Sequence, residues 1–122
     1  MLLIVEPPGQ RATRTRAEGE AAYAAMRAFG ERLRERGQLV AVESLASHAQ
    51  AARVQRQNGK TSVVDGPFAE AKELVGGIYL IEARDMDEAV EIAARIPSAS
   101  VTGIEVRPVW ELRGQEPRTG RA

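Results

Sequence analysis

Two helical stripes, each set between extended apolar runs, constrain this chain more than any other feature. In the first, Ala22, Met26, Phe29 and Leu33 recur at steps of four, three and four, which predicts a helix over Ala17 to Arg36 with one apolar face. Glu31, Arg32, Arg34, Glu35 and Arg36 cover its other side, and Gly37 stands where a helix end favours a left-handed residue. In the second, Ala89, Ile92, Ala93 and Ile96 form the stripe. Asp85, with Glu88 three residues on, marks its start, and Pro97 stops it.

The segments around these helices read as strands. Leu2 to Val5 is a short apolar run closed by Pro7, Pro8 and Gly9. Gln38 to Leu45 alternates, with Leu39, Ala41, Glu43 and Leu45 on one face and Val40, Val42 and Ser44 on the other. Ala51 to Gln57 and Lys60 to Val64 flank Asn58-Gly59, a strong hairpin signal because a type I′ turn needs positive φ at both positions. Phe68 to Leu74 is expected to make a helical turn ended by Gly76-Gly77, and Ile78 to Ala83 the next strand. Val101 to Leu112 closes the series with Ile104, Val106 and Trp110 on one face, and Pro108 argues for an edge or a bulge.

Strand, helix, strand, hairpin, strand, helix, strand is the order of an α+β, ferredoxin-like split βαβ domain with an extra hairpin. The domain is expected over residues 1–113, with a polar tail over 114–122. Such a sheet covers one face with helices and leaves the other bare. Pairing two bare faces buries their Leu, Val and Ile side chains, so a homodimer is expected.

Composition narrows the function. Lys+Arg and Asp+Glu are both 17, so no global field attracts nucleic acid or an anionic membrane, and 4% aromatics leave few stacking platforms. There is no cysteine, which excludes disulfides and thiolate chemistry. No apolar run approaches the ~20 residues of a membrane span. The opening Met1-Leu2-Leu3-Ile4-Val5 is too short for a signal-peptide core and lacks a basic leader, so a cytoplasmic protein is expected.

Asp65-Gly66-Pro67-Phe68-Ala69-Glu70-Ala71-Lys72-Glu73, followed by Gly76-Gly77-Ile78-Tyr79-Leu80-Ile81-Glu82, resembles the signature block of DGPF-domain proteins in the YCII-related superfamily. Met1-Leu2-Leu3-Ile4, Val42-Glu43-Ser44-Leu45, Asp87-Glu88-Ala89 and Gly103-Ile104-Glu105-Val106-Arg107-Pro108-Val109 are similar to other stretches of that family in the same order. The resemblance runs from Met1 to about Trp110. It implies a dimeric α/β barrel, no settled activity and, for some members, a partner among extracytoplasmic-function sigma factors. A His–Asp pair in some relatives of the broader superfamily is not carried over, because neither the first helix nor the second strand has a histidine here. The stretches Glu6 to Arg11 and Ser47 to Gln50 also depart from the family's usual pattern.

Asp65 and Glu43 are the candidate catalytic groups. Asp65 ends a strand and opens a Gly-Pro turn, which aims it at a barrel mouth or makes it an Asx-turn residue. Glu43 lies among apolar strand residues, where desolvation would suit it to acid–base work. Glu105 shares that setting, and both have the alternative of a salt bridge or a place at the dimer seam. Lys72 and Arg107 are expected to bind an anionic group, with Lys72 otherwise on a solvated helical face. Phe68 joins these as a ligand-binding candidate. Arg11, Arg14 and Arg16 lie in a loop without acids, read as solvated or as facing an anion. His48, the one histidine, is expected in an exposed loop. Gly66, Gly76 and Gly77 are read as serving backbone geometry. Neither a metal-ligand spacing nor a phosphate-binding glycine motif is present, so no cofactor is expected. The leading expectation is a small molecule bound or converted in a cleft of acidic and basic residues. The competing one is a non-catalytic interaction or regulatory module, with a sigma factor as partner.

Overall fold

Local capping fixes both helices where side chains can satisfy the free backbone groups. The computed structural model describes residues 1–66, 73–100 and 102–110. Helix α1, Arg16–Glu35, starts at Thr15, whose hydroxyl accepts from the Glu18 amide at 3.1 Å. It ends in a Schellman arrangement: the Gly37 amide donates to the Arg34 carbonyl and the Gln38 amide to the Leu33 carbonyl, both at 2.9 Å. Gly37 takes φ of 71° there, a conformation that a Cβ disfavours. Helix α2, Met86–Ala94, is capped by the Asp85 carboxylate, which accepts from the Glu88 amide at 2.8 Å.

The strands are β1, Leu2–Glu6; β2, Leu39–Ser44; β3, Ala52–Gln57; β4, Lys60–Asp65; β5, Leu74–Ile81; and β6, Ile104–Val106. Four of them form an antiparallel sheet in the order β2-β5-β1-β6, and β3 and β4 form a separate hairpin. This is α+β architecture with the strand order of a split βαβ unit, because α1 carries the chain from β1 to β2 across the intervening β5. No closed barrel forms among the described residues of the single chain. The helices cover one face. Leu2, Tyr79 and Ile81 from the sheet meet Phe29 and Leu33 of α1 and Ala89, Ile92 and Ala93 of α2, with Ile96 beyond its end. Each fully buried large side chain contributes about 1.5–3 kcal/mol of transfer free energy. Tyr79 holds the centre: its ring meets Phe29 edge-on at 5.8 Å, and its hydroxyl donates to the Met26 carbonyl at 2.6 Å.

Several expectations need correction. Gly76-Gly77 does not end a helix but lies inside β5, which begins at Leu74. Neighbouring chain explains both glycines. A Cβ on Gly76 would stand 2.7 Å from Glu6 Oε2, and one on Gly77 would stand 2.8 Å from the Glu43 carbonyl oxygen. The rest of the expected helical turn, Phe68 to Lys72, lies outside the described residues. A bulge at Val40 breaks the alternation of β2, so Leu39 faces the core while Ala41 and Glu43 fall on the other face. The last strand is three residues rather than twelve. Gly103 bends the chain just before it at φ 98°, and Pro108 cannot extend the ladder beyond the Arg107–Met1 pair. Trp110 is 56% exposed and does not enter the core of its own chain.

Candidate functional site

The period-two pattern of β1 places Leu2, Ile4 and Glu6 on the helix side of the sheet. Leu2 and Ile4 pack at the core, but Glu6 lies past the last buried layer and would bring an unpaired charge to the sheet end. Arg11 meets it. Its Nε approaches Glu6 Oε1 at 3.1 Å and Oε2 at 3.3 Å, while its Nη2 donates to the Gly76 carbonyl at 3.3 Å. The Glu6 side chain is 13% exposed and that of Arg11 30%. The pair is therefore partly desolvated, which makes each member costly to remove alone. Gly76 is the extra residue of a bulge opposite Ile4 and Val5, and its lack of a side chain leaves room for the two charged groups.

This pair stands at one end of an open cleft of about 970 Å³ between α1 and the sheet. The cross-strand rows Ile4–Gly77–Ser44 and Tyr79–Val42 make its floor, and Ala22, Tyr23 and Met26 of α1 its roof. The N-terminal half of α1 thus stands off the sheet, while Phe29 and Leu33 in the C-terminal half are buried. Arg14 reaches the rim of the cleft, whereas Arg16 turns outward to Glu20 at 3.1 Å. The three-arginine loop consequently splits into an anchored residue, a rim residue and a solvated one. A second cavity of about 430 Å³ lies on the other side of the Glu6–Arg11 pair, lined by Pro7 to Gly9 and by Ser47 and His48.

Those of the residues singled out in the sequence that are described do not converge. Glu43, Ile78, Leu3 and Glu105 form one row across the outer face of the sheet, opposite the helices. Glu43 and Glu105 stand on its two edge strands, about 14 Å apart at three strand spacings. Both are exposed in the single chain, as is Arg107, so the burial expected for them is absent there. Glu43 also touches the β2 margin of the cleft. Asp65 is exposed at the base of the hairpin and lines neither cavity. Lys72 and Phe68 lie outside the described residues.

His48 departs from its expected place in an exposed loop: it is half-buried on a 3-10 turn, His48–Gln50, beside Glu6 and Arg11. Its backbone also approaches the Asp65-Gly66 turn closely, since a Cβ on Gly66 would collide with the His48 carbonyl oxygen. Glu6 is the group that strand-level reasoning passes over, although the alternation Leu2, Ile4, Glu6 carries the signal. Among the described residues, no cluster of three or more His, Cys, Asp or Glu side chains has the arrangement of a metal site, and no helix is long and apolar enough to cross a membrane.

These features define a small α+β domain with an open cleft of mixed apolar and charged lining, bounded at one end by an anchored ion pair. The chain belongs to the YCII-related domain family, whose model matches residues 1–113. It is 42% identical over 77 residues to an uncharacterised protein of Rhizobium meliloti (strain 1021), in an alignment that covers 62% of each chain. The match therefore spans less than two thirds of that relative's length.

Proposed function

We propose that this protein is a cytoplasmic homodimer of the DGPF type that binds a small anionic molecule with an apolar body in the cleft under α1. One observation carries the reading: Arg11 is held inward by Glu6 and the Gly76 carbonyl, while its Nη1 donates to no group among the described residues. A guanidinium fixed in this way is ready for a carboxylate or phosphate oxygen, and its orientation costs little further entropy on binding. Val42 and Met26 would contact the apolar part of the ligand. Glu6 is the acid–base group nearest the bound anion in this reading and replaces Glu43 and Asp65 as the first candidate for chemistry. The homodimer rests on the outer sheet face, where Leu3, Ile78 and Leu80 are only half-buried.

The test is a thermal-shift titration with benzoate, phenylacetate, hexanoate and inorganic phosphate. A probe at 100 times its dissociation constant adds about 2.7 kcal/mol to stability. The double variant Glu6→Gln with Arg11→Met removes both charges without stranding either one. A shift in the wild type that the folded double variant loses supports the site. An equal shift in both places the anion elsewhere. No shift from any probe moves the reading to a non-catalytic regulatory module.

A further inference from the structure

The β3–β4 hairpin stands outside the four-stranded sheet and is largely exposed among the described residues. Eleven of its twelve strand residues are exposed, and Arg53 is the half-buried exception. An isolated two-stranded hairpin is marginal in water and needs a further surface to pack on. Its cross-strand pair Val54 and Val63 is 65% and 62% exposed, and Val64 is 50% exposed. Asn58 and Gly59 at φ 52° and 77° hold the tight turn that joins its two strands. Its charge is mostly basic: Arg53, Arg56 and Lys60 stand along the two strands against one acid, Asp65, at its base. The whole chain is neutral, so the matching negative charge lies elsewhere on the same sequence.

We propose that this hairpin is an arm that packs on a second copy of the chain, with Val54 and Val63 against the margin of that copy's outer sheet face, Arg56 beside them on the same ribbon face, and Lys60 reaching round from the turn end of the other face, both cations toward its edge carboxylates Glu43 and Glu105. The proposal rests on the homodimer reading above and adds the element that secures it. Area supports it. A face four strands wide and about five residues long measures roughly 19 by 17 Å, or on the order of 320 Å² in projection. Side-chain relief enlarges this, but a standard interface takes about 800 Å² from each partner. A six-residue ribbon about 20 Å long and 10 Å wide adds roughly 200 Å² in projection. In a two-fold pair each copy gives one arm and receives one, so the gain is doubled. Charge supports it too. The Glu43 and Glu105 carboxylates make no hydrogen bond or ion pair among the described residues, and the Arg56 guanidinium makes only a 3.4 Å bond to the Thr61 hydroxyl. Edge carboxylates around an apolar centre would meet basic arms around a valine pair.

Sedimentation equilibrium of the full chain tests this with three variants. Arg56→Glu with Lys60→Glu reverses the arm, Glu43→Lys with Glu105→Lys reverses the receiving edge, and the quadruple variant reverses both. The wild type is expected to dimerise at micromolar concentration. Each double variant should weaken dimerisation at least tenfold, and the quadruple variant should recover most of that loss. Circular dichroism confirms that each variant is folded. A dimer whose dissociation constant ignores all three variants overturns the arm and leaves the homodimer standing. A wild type that stays monomeric overturns both and leaves the hairpin to a different partner. Weakening without recovery in the quadruple variant overturns the pairing of arm and edge carboxylates.

Discussion

Replacing Tyr79 by Phe should reverse the order of stability of two proteins across the alkaline range. Tyr79 is 2% exposed, and its hydroxyl donates to the Met26 carbonyl at 2.6 Å. Removing that hydroxyl costs about 1 kcal/mol at neutral pH, since the carbonyl keeps its place in the helix ladder and the ring keeps its packing. For a domain of this size the loss is a drop in Tm of about 3–5 °C. Burial pushes the phenol from its ordinary 10.0 up to about 12, against a smaller opposite effect of Arg32. The folded state therefore holds the phenolic proton more tightly than the unfolded chain does. The stability linked to that proton is complete below pH 10 and is lost as pH rises from about 10 toward 12. Two pKa units correspond to about 3 kcal/mol in full, of which about half is gone at pH 11. The Phe variant has no such proton. Urea melts at pH 8, 10 and 11 should show the wild type ahead at pH 8 and level with or behind the variant at pH 11. Other alkaline titrations act on both proteins and cancel in the difference. Parallel stability curves from pH 8 to 11 would refute the claim that Tyr79 is a buried, proton-holding centre of the core.

Three further substitutions probe the geometry. Gly76→Ala places a methyl 2.7 Å from Glu6 Oε2 and 3.1 Å from Arg11 Nη2, so it should shift the ion pair and weaken anion binding at least tenfold while costing about 1–3 kcal/mol of stability, measured by calorimetric titration and urea melts. Gly66→Ala drives a Cβ into the His48 carbonyl and should cost about 2 kcal/mol or more in a chemical melt, with amide exchange fastest at the base of the hairpin. Asp85→Ala removes the α2 cap and should cost about 1 kcal/mol, and Asp85→Ser should restore most of it.

What was legible in the sequence is what short-range chemistry decides. The stripe Ala89, Ile92, Ala93 and Ile96 is buried, the Asp85 cap forms, and Asn58-Gly59 makes the hairpin turn. The strand order followed from the order of elements, because a helix between two strands carries the chain across the sheet. The bulges were not legible. An extra residue at Val40 or at Gly76 is visible only once two strands are paired, and each one changes which side chains share a face. That is why Glu43, read as a half-desolvated acid, stands exposed at a sheet edge. The candidate site was hidden for a related reason. Glu6 and Arg11 are five residues apart, but what draws them together is the Gly76 carbonyl, 65 residues from Arg11. Ala22 and Met26 belonged to the predicted stripe; Met26 packs against the core from a half-buried position, and both also roof a cleft, because the N-terminal half of α1 stands off the sheet.

The most direct test of the anion-binding cleft is a titration of the isotope-labelled protein with phenylacetate, followed by backbone amide chemical shifts. The account predicts that Gly76, Gly77, Val42 and the amides around Arg11 move together with one saturating curve. The Glu6→Gln, Arg11→Met double variant should lose that response while keeping a folded spectrum. Shifts confined to the outer face around Leu3, Glu105 and Arg107, or a response that survives in the double variant, would contradict it.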